Sequence, residues 1–154
     1  MTTVRPYDER DHDAVLALAD RLTSGRPPWR NLDRWLATAR GWVAESIAAA
    51  DSPMHALHVA VVDDVVVGFV ALSTRTHFTG DVDAYVGELV VAPGRERQGI
   101  GRALLAVAES WAREHGLVSL TLDTGAVNTV ARRVYASAGF VEEDVRLTKR
   151  LDVP

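Results

Sequence analysis

Three groups of residues in this chain have the types and spacing to do chemistry. The first is Val90-Val91-Ala92-Pro93-Gly94-Arg95-Glu96-Arg97-Gln98-Gly99-Ile100-Gly101-Arg102-Ala103-Leu104-Leu105. An apolar, β-branched run from Tyr85 to Val91 reads as a buried strand, and Pro93-Gly94 breaks it. Gly99-Ile100-Gly101 then opens a helical pattern in which Ile100, Ala103, Leu104, Val107, Ala108 and Trp111 recur on one face. The first N–H groups of a helix have no intrahelical partner, and the peptide dipoles make that end partly positive. Glycines at 99 and 101 remove the Cβ atoms that would hold a ligand away, and Arg95, Arg97 and Arg102 add full charges. Such a collar suits a di-anion such as a pyrophosphate.

The second group is a single residue. Glu88 is a carboxylate inside an otherwise apolar strand, where burial raises a carboxyl pKa toward the range of a general base. The same position also serves as a recognition point for a cationic substrate, or as a solvated strand-face residue. His77, His58 and Asp123 are lesser candidates for the base. The third group is Asn128, Ala131 and Tyr135, at i, i+3 and i+7 and so on one helix face. By themselves these read as an N-cap asparagine and a tyrosine packed on a sheet.

A dinucleotide-binding fold also joins strand, glycine loop and helix, and Asp123 lies near the distance of its ribose-binding acid. However, Leu104 occupies the third fingerprint glycine. The turn from Val91 to Gly99 is long for that fold, and too few residues follow for the remaining βαβ units.

The elements that must position these groups follow from periodicity. Val4–Pro6 is a short strand. Asp11–Leu22 is helical, with Asp11 or Asp13 as N-cap, and Leu32–Ala50 is a second helix that Gly41 can bend. His58–Val62 and Val65–Leu72 are strands joined through Asp63-Asp64, a hairpin signal, and Ala84–Val91 feeds the glycine loop. Gly116 ends the long helix. Val118–Leu122 is a strand, Asn128–Ser137 a helix closed by Gly139, and Phe140-Val141 and Val145–Leu151 begin two further strands. A hairpin-built antiparallel half followed by a βαβ crossover predicts a mixed sheet with helices on both faces.

At 154 residues the chain reads as one domain, residues 1–154, with 47% hydrophobic and 25% charged residues. No apolar run reaches membrane-spanning length and the N-terminus lacks a signal-peptide apolar region, so the expected location is cytoplasmic. Cysteine is absent, which excludes disulfides, thiolate metal sites and a cysteine nucleophile. A net charge of −4 argues against nucleic-acid binding.

Taken together, the glycine loop and the Asn128–Phe140 helix resemble the GNAT superfamily of acetyl-CoA-dependent N-acetyltransferases. The loop is similar to that family's Q/R-x-x-G-x-G/A pyrophosphate motif, and the helix to its N-x-x-A-x-x-x-Y-x-x-x-G-F segment; the likeness covers essentially the whole chain. It departs at Glu96, which stands at the Q/R position. An acid there is unfavourable beside a pyrophosphate, so its side chain should turn outward, with Arg95 or Arg97 supplying the cation.

The resemblance implies an α/β (α+β) fold with a mixed, mostly antiparallel sheet of six to seven strands and helices on both faces. It implies acetyl-CoA as co-substrate and direct transfer of its acetyl group to a primary amine of a small molecule or peptide. In that reading Tyr135 protonates the departing thiolate and Glu88 is the base or the amine-recognition residue. Leu89, Val90 and Val91 contact the thioester and pantetheine. Arg95, Arg97, Gln98, Gly99, Ile100, Gly101 and Arg102 hold the pyrophosphate, Asn128 and Tyr135 face the cofactor from the other side, and no metal takes part. The acceptor pocket falls on Leu22–Ala50 and Ser73–Asp83, where Trp35 and Trp42 read as core and Trp29 as a pocket residue. Homodimers are frequent in the family. The competing reading is a non-catalytic acyl-CoA-binding sensor or partner module, which needs the glycine loop but neither Tyr135 nor Glu88.

Overall fold

The computed structural model describes residues 1–154. Five strands, β1 (Thr3–Pro6), β2 (Ala56–Val62), β3 (Val65–Thr76), β4 (Val82–Val91) and β5 (Leu120–Leu122), form one sheet in sequence order. Neighbours from β1 to β4 are antiparallel, and β5 joins β4 in parallel. The β2–β3 hairpin turns through Asp63 and Asp64, both at positive φ (48° and 61°), the geometry of the two-residue turn that matches strand twist.

Four helices flank the sheet: α1 (His12–Ala17), α2 (Leu32–Ala48), α3 (Ile100–Glu114) and α4 (Thr129–Ser137). Strand alternation sends two apolar sets to opposite faces. On one, Val67, Val70, Leu72, Ala84 and Val86 pack against Ile100, Leu104, Ala108 and Trp111 of α3. On the other, Leu57, Val59, Phe69, Ala71 and Val90 pack against Val15, Ala19 and Val43 from the α1–α2 segment. The Asp11–Leu22 helix is realised as α1 followed by a 3-10 stretch over Leu18–Thr23. Asp11 holds the N-cap position, but its side chain makes no capping hydrogen bond. Asp8 caps the preceding 3-10 turn, while Asp11 is buried and takes two hydrogen bonds from the Arg5 guanidinium at 2.7 and 2.9 Å. Helix α2 runs through Gly41 without a break, capped by Asn31.

The expectation of six to seven strands is corrected to five. The alternation of Val145–Leu151 is that of a strand, but a strand exists only with a ladder partner. β5 has only three residues, and the backbone from Val141 onward makes no backbone hydrogen bond. Val141, Val145, Leu147 and Leu151 are exposed as a result.

The loop after the 3-10 stretch meets the loop after β5 with no side chain between them. A Cβ built on Gly125 would lie 2.1 Å from the Gly25 carbonyl oxygen, so this approach requires glycine at 125, while a Cβ on Gly25 would sit a tight 3.1 Å from the Gly125 nitrogen.

Candidate active site

The site grows from an interruption in β4. Ala71 pairs with Glu88 but Leu72 pairs with Val86, which leaves Gly87 as a bulge. Before the bulge, the Ala84 N–H donates to the Ser119 carbonyl beside β5 at 2.9 Å. After it, the Ala92 N–H donates to Val67 of β3 at 2.8 Å. Amide directions alternate along a strand, so the N–H groups of Leu89 and Val91 point away from β3. Pairing with β5 ends at Val86–Leu122, and those two amides face the gap where β5 departs. Val90 is turned the other way, its amide toward β3 and its side chain in the core at 3% exposed.

The bulge also sets the direction of Glu88. Its side chain is 6% exposed, on the α2 face, and accepts a hydrogen bond from the Ser46 hydroxyl at 2.8 Å. Burial pushes its carboxyl up to about 7; the Ser46 bond works against that rise and nearby Glu45 adds to it. Glu88 forms one wall of a cavity of about 200 Å³ that Trp42, Glu45, Ser46, His55 and Ser73 also line. A larger depression of about 410 Å³ beside Asp13, Asp20 and Arg40 contains none of the candidate residues.

At the end of β4 the chain turns through Gly94 and enters α3. Gly99 is the N-cap, at φ +77°, a left-handed conformation that favours glycine. No side chain caps this helix, and the first intrahelical bond is from Ala103 N–H to Gly99. The N–H groups of Ile100, Gly101 and Arg102 therefore have no partner within the helix. A Cβ on Gly101 would touch only a methyl of Val91, at 3.9 Å, so internal packing does not demand glycine there. Arg102 donates to the Ser137 hydroxyl at 2.9 Å, while the side chains of Arg95 and Arg97 engage no partner in the chain. Glu96 forms an ion pair with Arg21 at 2.8 Å.

Helix α4 carries the third group. The Asn128 side-chain oxygen accepts from Ala131 N–H at 3.2 Å, so it is the helix cap, and its amide NH₂ remains free to donate. Tyr135 is half-buried and packs edge-on against Phe140 with ring centroids 5.7 Å apart. Its hydroxyl has no hydrogen-bond partner in the chain, and burial pushes its pKa up.

The lesser candidates for the base fall away. Asp123 is pushed up by burial but held lower overall by hydrogen bonds from Arg75 at 2.5 Å and Tyr85 at 2.9 Å. His58 lies on the α3 face of β2, opposite Glu88, and His77 is tied to Thr79 in the β3–β4 loop. Trp35 donates its indole N–H to the Leu22 carbonyl at 2.9 Å, while Trp42, expected in the core, stands half exposed at the cavity mouth. Sequence reasoning missed Ser46, Glu45 and Trp42 as a set. Their i, i+3, i+4 spacing was a usable signal: a polar edge alongside the Ala39–Val43 stripe.

Free backbone amides on a splayed strand, a bare glycine-collared helix start and a buried carboxyl are groups that an acyltransferase acting on a thioester can use. The acetyltransferase (GNAT) family model matches residues 16–140, and the chain belongs to that family. Its co-substrate is acetyl-CoA. The chain is 33% identical over 105 residues to the aminoglycoside N(6')-acetyltransferase type 1 of Klebsiella aerogenes, covering 65% of this chain and 68% of that one. The enzyme of the same name from Salmonella typhimurium is 26% identical over 90 residues, and the chain spans 62% of its length. Among solved structures, AAC(6')-Iy in complex with the bisubstrate analog CoA-S-monomethyl-acetylneamine superposes with a TM-score of 0.70 over 99% of both chains, at 21% identity. No helix is long and apolar enough to cross a membrane.

Proposed function

We propose that residues 1–154 act as one catalytic domain that acetylates a primary amine of an aminoglycoside-like polycation, in a ternary complex with acetyl-CoA. The observation that carries this reading is the open half of β4. It presents the Leu89 and Val91 amides on one side of the strand and a buried carboxyl on its α2 face. The diphosphate sits at the N–H groups of Ile100, Gly101 and Arg102, with Gln98, Gly99, Arg95 and Arg97 around it. The Asn128 NH₂ reaches the coenzyme from α4. The amides of Leu89 and Val91 bind the thioester oxygen and the pantetheine arm.

In the reaction Glu88, at about 7, takes a proton from the bound ammonium. The freed nitrogen lone pair forms a bond to the thioester carbonyl carbon, the C–S bond breaks, Tyr135 gives its hydroxyl proton to the sulfur, and the second proton shed by the nitrogen restores the tyrosine hydroxyl. The products are an acetamide and the free thiol of coenzyme A. The acceptor enters the cavity beside α2, where Glu45 and Glu88 attract positive charge and the Trp42 ring face offers a cation–π contact. Relatives named for aminoglycosides support that substrate class.

The same reading includes a cytoplasmic location, where the coenzyme is available, and a homodimer. Support for the dimer is the bare outer edge of β5, together with exposed Val118 and the apolar residues of the unpaired segment after Phe140. The deciding experiment is thiol release from acetyl-CoA across a panel of aminoglycosides, polyamines and peptides. Turnover confined to the aminoglycosides is expected. Coenzyme binding without release on any amine would instead mark a non-catalytic acyl-CoA-binding module.

A further inference from the structure

Glu96 is the residue of the diphosphate loop that does not suit an anion. It lies three positions before the Gly99 cap, between two arginines whose charges suit the ligand. The structure shows where that negative charge goes. Arg21, from the 3-10 stretch between α1 and α2, donates Nη2–H to Glu96 Oε1 at 2.8 Å and Nε–H to the Val91 carbonyl at 3.3 Å. One guanidinium, seventy-five residues away in sequence, therefore joins the end of β4 to the loop. The loop's own backbone N–H groups, that of Glu96 first, and the Arg21 charge hold the Glu96 carboxyl below its usual range.

We propose that Arg21 is a positioning residue for coenzyme binding: it neutralises Glu96 and keeps that carboxylate turned from the amides at the start of α3. This rests on the reading of the loop as a diphosphate site. Arg95 and Arg97 are thereby left without an internal acid and stay available to the ligand, while Arg21 does for the acidic loop residue what a neutral or basic side chain at position 96 would make unnecessary. The cost of losing Arg21 is electrostatic. A freed carboxylate within about 8 Å of a doubly charged diphosphate in water weakens binding roughly threefold to tenfold.

The test is a double-mutant cycle read as CoA affinity by calorimetry on the full chain. Arg21→Ala should raise the Kd for CoA by roughly threefold to tenfold, with the deficit shrinking as salt is added. Arg21→Lys, which keeps the charge, should recover most of the loss. Glu96→Gln should bind at least as tightly as the wild type, and Arg21→Ala placed in that background should cost nothing further. Acetyl-pantetheine, which lacks the diphosphate, should show one KM across all variants. A loss that persists in the Glu96→Gln background, an unchanged Kd in Arg21→Ala, or an equal loss with acetyl-pantetheine would each overturn the proposal. Wild-type protein that binds no CoA would remove the diphosphate reading beneath it, an outcome recognisable before any variant is made.

Discussion

From Ala84 to Val86, β4 lies between two strands; from Glu88 to Val91 it has a neighbour on one side only. The halves share apolar composition and one sheet, and differ in a single inserted residue and in where β5 turns away. The polar side chains at the closed end have local partners: Tyr85 donates to Asp123, and Asp83 accepts from Thr121 at 3.3 Å. In the open half the Leu89 and Val91 amides have no strand to bond, and burial pushes the Glu88 carboxyl up to about 7. The unsatisfied half is the reactive one, because groups already paired within the chain have nothing left to offer a substrate.

Paired substitutions break or sharpen this contrast. Tyr135→Phe should slow turnover by roughly 10²–10⁴, as expected for loss of an acid catalyst. Tyr85→Phe, in the closed half, should change it by less than about threefold, under 1 kcal/mol of barrier. Equal rates for the two variants would return Tyr135 to a packing role. Glu88→Gln should lower turnover chiefly below the amine's pKa and lose less at high pH, removing the limb of kcat/KM that rises through about pH 7. A loss of the same size at every pH would leave Glu88 as a recognition residue. A smaller effect, roughly tenfold to a hundredfold on CoA affinity, is expected for Gly101→Val, whose side chain shields free amides without crowding the fold. A melting temperature unchanged alongside that loss would assign it to the ligand site.

The last prediction concerns stability. The folded-state pKa of Glu88 lies above its ordinary value of 4.5, so between about pH 4.5 and pH 7 the native chain binds more protons than the unfolded one. The stability this confers is complete below pH 4.5 and is lost as pH rises through about 7, an amount of about 3 kcal/mol. Denaturant titrations of Glu88→Gln and wild type should therefore diverge in favour of the variant as pH increases. Parallel curves would mean that Glu88 is ionised at little cost.

Local pattern disclosed most of the frame. Period-2 and period-3.6 runs located the strands and helices on both sheet faces, and Asp63-Asp64 located the hairpin. The pattern overstated the sheet at its end, because Val145 and Leu147 alternate correctly while the ladder they need is a non-local matter. At the site, Gly99, Gly101 and Glu88 could be found from type and context. The bulge at Gly87 could not, since register depends on what β3 offers opposite. Arg21 left no trace in the sequence near Glu96, and only the packing of the 3-10 stretch beside β4 brings them together. Trp42 was misplaced because i, i+7 periodicity assigns it a side of α2 but not how far the buried stripe extends.

The touching loops at Gly25 and Gly125 carry a historical consequence. Gly125 cannot acquire a side chain while Gly25 stays put, because the Gly25 main chain already fills that space, whereas a methyl on Gly25 would need a shift of only a few tenths of an ångström. Descendants of this sequence should keep Gly125 unless the loop at Gly25 is rebuilt, and should tolerate a small side chain at position 25 more readily than at 125.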